Sequence, residues 1–342
     1  MEKSFEDVLR MFAPGTSLRA ALDDLLRARM GALIVFHNDE LDEIMERGFW
    51  INAKFSSQKL VELAKMDGAI ILSEDGKKIL HANTLLVPDV MIGTRETGTR
   101  HKAAERTAKK ARTISIAVSE RKNKISLYYN DFKYELERSS EILRRASETL
   151  QILEKQKEDF DDLLVNFNVL EISNLATIND VCRILQKLEM IKRVSEDVKR
   201  FLIELGKEGM IVSMRLKELT SDIIRDRDII SRDYFGSEAV DTLKILEKMN
   251  FDFLLETTNV SRMLFEELQD KSISPKGFRI LKKTNLLDRH VDSLIGNFKT
   301  LDKILSANNE QLLEVLENEK AIEFFKEEIY NLKEKIMVGK KL

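Results

Sequence analysis

With one cysteine, Cys182, among 342 residues, the chain can form neither a disulfide framework nor a cysteine zinc site. A reducing cytoplasm is the expected compartment. Long hydrophobic runs are missing as well: no stretch reaches the roughly 18 apolar residues that span a bilayer. The first ten residues alternate charged and apolar side chains, without the cationic start and apolar run of a secretory signal. Neither secretion nor membrane insertion is expected. Charge of one sign is also lacking. The 56 Lys+Arg and 59 Asp+Glu residues leave a formal charge of -3, so there is no global pull towards DNA or anionic lipid, and any nucleic-acid surface must be local.

Glycine and proline are unevenly spread. Seven of 13 glycines and two of three prolines fall in the first 100 residues, and none of either lies from Thr99 to Leu205. The chain thus passes from a turn-rich segment to a helical one. Hydrophobic residues at 43% and charged residues at 34% exclude wholesale disorder. The length suits two or three domains at roughly 100–200 residues each.

In the first third, Gly31 to Phe36, Ala69 to Leu72, Ile79 to Val87 with a break at Ala82–Asn83, Thr113 to Val118 and Ile125 to Tyr129 read as strands. Leu18 to Ala28, Asp39 to Arg47, Ser56 to Met66 and His101 to Ala111 read as helices, the third capped by Ser56 or Ser57. Trp50 beside Phe49 reads as core. The pattern predicts a mixed-sheet α/β domain over 1–134. From Glu135 heptad spacing takes over, with Leu143, Leu150 and Leu164 in one column and Ala146, Leu153, Phe160 and Phe167 in the other. Lys157 interrupts the first column, which favours a helical hairpin or bundle. A second helix carries Val181, Leu185, Leu188, Ile191, Val194, Val198, Phe201 and Leu205. After Gly206 and Gly209, amphipathic helix continues to about Leu268, making 135–270 an all-helical spacer. Pro275-Lys276-Gly277 opens a last segment, 271–342, of short helices ending near Ile336 and followed by a lysine-rich tail.

Two clusters in the first domain carry chemistry. Asp67-Gly68-Ala69 places a carboxylate between a helix end and an apolar strand, an arrangement that is commonly only a turn. Gly98-Thr99-Arg100-His101 opens a helix with hydroxyl, guanidinium and imidazole groups beside free backbone N–H groups, which suits an anion as well as it suits a capped, solvated helix end. Thr99 is placed to cap that helix. No Walker A loop or dinucleotide fingerprint occurs. His37, His81 and His290 have no paired ligands at metal spacing.

Taken together, Ala13-Pro14-Gly15-Thr16, Leu18-Arg19, Arg27-Ala28-Arg29, Gly31 to Val35, Leu63 to Ser73, Ala82-Asn83, Pro88-Asp89, Glu96 to His101, Ala104-Glu105-Arg106 and Ser119 with Arg121, Asn123 and the strand to Tyr128 resemble the diadenylate cyclase domain. The whole chain resembles the bacterial DNA-integrity-scanning diadenylate cyclases. The resemblance implies that two ATP molecules, one in each of two facing protomers, condense to cyclic di-AMP with release of pyrophosphate. It implies Mg2+ or Mn2+, a homo-oligomer that is a ring-like octamer in the family, and a cytoplasmic, nucleoid-associated protein. It assigns Asp67 to the metal and the 3′-hydroxyl, and Gly68 to close approach of the ribose. Gly98, Thr99, Arg100 and His101 fall to the phosphates, Ser119 completes that shell, and Ala69 and Leu86 lie on the ATP, Leu86 against adenine. The chain departs from the family at Lys102 and Ala103, where an arginine and a threonine are usual. Lysine lacks the bidentate fork and alanine lacks a hydroxyl for phosphate.

The last segment resembles the family's paired helix-hairpin-helix domain from Pro275 onwards. Its final hairpin reads Glu317-Asn318-Glu319 where the family has two glycines, so branched- or damaged-DNA binding is expected to be weakened or lost. Lys276, Arg279, Lys282 and Lys283 form a small basic patch able to touch a DNA backbone, or simply a solvated helix face. Two other readings remain open: a DNA-structure-binding protein whose first domain only oligomerises, and a scaffold that senses ATP without turning it over.

Overall fold

A computed structural model describes residues 4–46, 48–265 and 269–340. Its contacts divide the chain into two compact units, Met1–Ser147 with Lys199–Ser213, and Glu148–Val198 with Met214–Leu342. The first unit runs α1 (Phe5–Met11), α2 (Ser17–Arg27), β1 (Ala32–Phe36), a 3-10 turn at Asp39–Glu43, β2 (Met45–Glu46), β3 (Phe49–Lys54), α3 (Ser57–Leu63), β4 (Ala69–Leu72), β5 (Lys78–Leu86), α4 (Thr99–Ala111), β6 (Ile114–Ser119), β7 (Lys124–Tyr129) and β8 (Phe132–Leu136). The strands form one mixed sheet in the order β2-β5-β4-β1-β6-β7-β8, with β3 also paired to β5. Only β1 and β4 run parallel among these pairs.

Period-two alternation makes this sheet the middle layer of the unit. Ile34, Ile70, Leu72, Ile116 and Val118 face a core built with Phe12 of α1, Leu22 and Leu25 of α2 and Leu60 of α3. Leu33, Val35, Ile71 and Ala117 face the other side, where α4 presents Ala104, Ala108 and Ala111. Those three small side chains let α4 lie close to the sheet. Ile203 of the Lys199–Ser213 segment packs against the first core, and the Tyr134 hydroxyl donates to Glu204 at 2.5 Å.

The predicted strand Ala69–Leu72 is found residue for residue, and Ser56, not Ser57, caps α3 by accepting the Lys59 N–H at 3.3 Å. The break in β5 is a pair of register shifts, with Asn83 at φ 52°. Three expectations change. Asp39–Arg47 is not a helix: Asn38 caps a 3-10 turn that gives way to β2, and Arg47 lies outside the described residues. Trp50 and Phe49 are not core but stand 65% and 59% exposed on β3, at the sheet margin. Helices α1 and strands β2, β3 and β8 were not anticipated from the sequence pattern.

Helices continue with α5 (Ser139–Ile172), α6 (Ile178–Leu205) and α7 (Met210–Phe235), then α8 (Ala239–Lys248), α9 (Phe251–Leu254) and α10 (Thr257–Leu264). The anticipated helix end at Leu268 lies outside the described residues. Of the two heptad columns of α5, one is buried throughout, at Ala146, Leu153, Phe160 and Phe167, while the other is mixed: Leu150 is buried, Leu164 half-buried and Leu143 38% exposed. Cys182 is buried in α6, and burial pushes its thiol up to about 12.

The last segment holds α11 (Phe278–Leu281), α12 (Asp288–Phe298), α13 (Leu301–Ser306), α14 (Asn309–Leu316) and α15 (Glu319–Met337) around its own apolar cluster, which includes Ile280, Leu294, Ile304, Leu312, Phe325 and Leu332. Asp233 of α7 accepts N–H bonds from Gly277, Phe278 and Arg279 at 3.0, 2.6 and 2.8 Å. Arg279 departs from the sequence reading. It is not in a basic surface patch but 3% exposed, its guanidinium donating to Asn168 at 2.5 Å and to Glu171. Two buried acceptors satisfy its charge inside the protein, leaving Lys276, Lys282 and Lys283 of the predicted set nearer the surface. The altered hairpin keeps its turn: Glu317 takes φ 57°, the left-handed region that costs a side-chain-bearing residue roughly 1–2 kcal/mol.

Candidate active site

The sheet itself gathers the sequence-predicted residues. Leu33 pairs with Ala69, Ala32 with Val118, and Ala69 with Thr84. These registers bring Asp67, just before β4, Gly31, just before β1, Leu86, the last residue of β5, and Ser119, the last residue of β6, to the same edge of the sheet. Leu86, Asp67, Gly31 and Ser119 form one row along that edge. Asp67 is exposed and makes no hydrogen bond or ion pair to a described residue. Gly68, at φ 87°, packs so near β5 that a Cβ there would stand 2.9 Å from the Thr84 carbonyl oxygen and 3.0 Å from Asn83. A side chain would therefore be both strained and crowded.

Beside this row opens a cavity of about 910 Å³ between the end of α2, the start of α4 and the β6–β7 turn. Gly98, Thr99, Arg100, His101 and Ser119 line it together. The α4 cap is Gly98, not Thr99, and it makes no side-chain capping bond. The first N–H groups of a thirteen-residue helix are thus left for a ligand, at the positive end of its dipole. Arg27, Arg29, Arg121 and Lys122 line the cavity too. The sequence singled out none of these four as site residues. Arg29 and Asn123 of that lining hold φ 52° and 50°, each at a turn on the cavity rim, a backbone feature that the sequence does not display.

Asp67 and Leu86 belong to the row, and Gly68 adjoins it, but none of the three lines the cavity. Ala69 is fully buried in the sheet and offers no surface to a ligand, because it is flanked by β1 and β5. Neither Lys102 nor Ala103 lines the cavity. Ala103 packs instead against the core beneath α4.

The segment between β5 and α4 is tied down from α4. Arg106 donates to the carbonyls of Ile92 and Val90 at 3.0 and 2.9 Å, and Lys109 to Gly93 at 3.1 Å. Thr94 donates to Glu105, which also pairs with Lys109 at 2.8 Å. Glu96 meets the Lys133 ammonium at 2.6 Å. Although burial opposes ionisation, that hydrogen bond keeps the Glu96 carboxyl below its ordinary value. Burial pushes the His101 imidazole below its ordinary value, and the Glu96 carboxylate works against that shift, while Lys122, Lys133 and Arg100 reinforce it. The shift favours the neutral imidazole. Glu96→Gln removes the one neighbour that favours the imidazolium, so an NMR titration of His101 should show a still lower pKa in that variant. An unchanged or raised value would contradict the arrangement.

Comparison with known proteins gives the family. The profile described as DisA bacterial checkpoint controller nucleotide-binding matches residues 19–132, and that of the DisA linker region matches residues 136–271. The DNA integrity scanning protein DisA of Clostridioides difficile is 42% identical over 90% of this chain and 88% of its own length. The chain belongs to the DisA family. DisA of Clostridium acetobutylicum matches over 100% of this chain and 98% of its own, at 39% identity. The mixed sheet with its cavity is thus the DisA nucleotide-binding domain, and the enzyme class expected from the resemblance, a diadenylate cyclase, agrees with both profile and relatives.

Proposed function

We propose that the protein condenses two ATP molecules into cyclic di-AMP and two pyrophosphates, one ATP being held on each of two facing copies of the chain. The observation that supports this most is the row Leu86, Asp67, Gly31 and Ser119 running into a cationic cavity at an uncapped helix start. Such a row offers an apolar side chain for a base, an open carboxylate for a sugar hydroxyl and a concentrated set of donors for phosphates. In the reaction each 3′-oxygen forms a bond to the α-phosphorus of the opposite ATP as the bond from that phosphorus to the pyrophosphate oxygen breaks. Asp67 orients the 3′-hydroxyl and takes its proton. Thr99, Arg100, His101 and Ser119 hold the phosphates, and the fixed donors at the α4 start stabilise the charge that grows on the departing pyrophosphate.

Mg2+ or Mn2+ fits these donors. Among the described residues no three His, Cys, Asp or Glu side chains cluster as metal ligands, but magnesium is commonly held by one or two carboxylates together with substrate phosphates. Asp67 would hold it, and its chemistry when bound is to neutralise phosphate charge. Mass spectrometry of the products from ATP with either metal tests the reading. Cyclic di-AMP is the expected result, and ATP bound but unchanged under both metals would move the protein to the sensing class.

Two copies must face each other for this condensation, and the open end of the row is flanked by apolar side chains suited to it. Leu85 and Val87, on either side of Leu86, and Val90 and Met91 beyond them are all more than half exposed, as are Phe49 and Trp50 further along β5 on its partner strand β3; exposed apolar side chains of this kind suit an association surface. Ring-like assembly into an octamer and a cytoplasmic location follow the same reading; among the described residues no helix is long and apolar enough to cross a membrane. DNA binding by the last segment is weak on this reading, since Glu317 and Glu319 are exposed at the hairpin and Arg279 is buried. A salt titration with branched DNA should give affinity weaker than about micromolar at physiological ionic strength. Tighter binding with a steep salt dependence would show that Lys276, Lys282 and Lys283 suffice.

A further inference from the structure

Gly31 lies at the centre of the row, and what surrounds it is a single side chain. A Cβ built on Gly31 would overlap Nη1 of Arg100 and stand 2.9 Å from its Cζ and 3.3 Å from its Nη2. These are the three nearest neighbours of that position, and all belong to the end of one flexible side chain. The guanidinium of Arg100 is therefore laid across the bare backbone at the start of β1. Arg100 makes no hydrogen bond or ion pair to a described residue, so packing on Gly31 is the visible constraint on where its fork sits.

We propose that Gly31 is a positioning residue: by having no side chain, it seats the Arg100 guanidinium against β1, between Asp67 and Ser119, with its donors turned into the cavity. The inference rests on the reading of that cavity as an ATP phosphate site. A planar guanidinium bonds phosphate through two parallel donors only if its plane is fixed. A fork held in place before the ligand arrives also loses less freedom on binding. Turn chemistry does not account for this glycine. Gly31 is absent from the residues in the left-handed region, whereas Gly68 at φ 87° is among them. Alanine is therefore compatible with the backbone at 31, and the cost of its methyl group falls on Arg100 rather than on the fold.

The test measures ATP affinity by calorimetry on the full chain, without divalent metal, for wild type, Gly31→Ala, Arg100→Ala and the double variant. Gly31→Ala should weaken ATP binding roughly 10-fold, the scale of one charge-assisted hydrogen bond. Its melting temperature should stay within about 2 °C of wild type, as for a substitution outside the core. Arg100→Ala should weaken binding at least as much, and the double variant no further than Arg100→Ala alone, because both changes remove the same contact. Wild-type affinity in Gly31→Ala, or losses that multiply in the double variant, would overturn the positioning while leaving the ATP site standing. If Gly31→Ala melts well below wild type and the double variant does not recover it, Gly31 is a structural glycine and the proposal fails. Absence of ATP binding by the wild type would overturn the reading of the cavity, and the positioning with it.

Discussion

Asp67→Asn should leave the protein folded and assembled and lower product formation by a factor of roughly 10²–10⁴, the range associated with a positioned general base. The side chain is exposed at the end of the sheet and makes no hydrogen bond or ion pair to a described residue. Its removal takes nothing from the core, and the stability change should stay within about 0.5 kcal/mol. Asparagine keeps the size and one acceptor oxygen but loses the negative charge and the ability to take a proton. Rate measurements with the metal concentration varied separate two contributions. If excess metal restores part of the activity, Asp67 contributes to holding the ion; if none returns, its action on the 3′-hydroxyl dominates. Turnover equal to wild type would remove Asp67 from the site.

Met91→Asp should be as damaging for a different reason. Met91 is 86% exposed, and its backbone N–H is held by Asp89 at 2.8 Å, a bond that a new side chain does not disturb. A carboxylate there leaves the single copy's hydrogen bonds intact, and in the proposed arrangement of two facing copies it adds negative charge to both sides of the contact. Sedimentation should show smaller species, and product formation should fall by about 100-fold or more, because one copy holds only half of the reacting pair. Raising the protein concentration should recover part of the rate. A variant that keeps its assembly and its turnover would place the facing surface elsewhere.

The parts of the fold that could be read from the chain are those where burial and periodicity coincide. Ile70, Ile71 and Leu72 are buried on both sides, so an unbroken apolar run marks β4 whichever way it faces. In Phe49–Lys54 the pattern misleads, because the aromatic side chains lie on the exposed side of the sheet margin and Asn52 at φ 46° interrupts the alternation. Asp39 to Arg47 has helical spacing, but the Asn38 side chain bonds the Leu41 N–H at 3.0 Å and favours a tight turn. For the site, the helix-start cluster of Gly98, Thr99, Arg100 and His101 was singled out by its side-chain chemistry and lines the cavity together, whereas Asp67 was singled out by the family resemblance and stands outside that lining. Gly31 was not legible, since its contribution is an absent atom facing a residue 69 positions further on, 100 − 31. Arg279 misled similarly: its partners Asn168 and Glu171 lie 111 and 108 residues away, so local charge counting sees a free cation where the fold supplies two acceptors.

Asp233 gives that last case a wider meaning. Its carboxylate closes the loop in which three successive N–H groups, those of Gly277, Phe278 and Arg279, converge, while Arg279 spends its charge on α5. A fragment cut at 271 would expose that amide cup and an unneutralised guanidinium, together with the apolar surface that Val169 and Ile172 cover. The last segment is therefore no detachable cassette: it shares its interior with α5, 108 to 111 residues earlier, and with Asp233 of α7, 44 to 46 residues earlier, and grafting it onto another protein means carrying parts of both helices along.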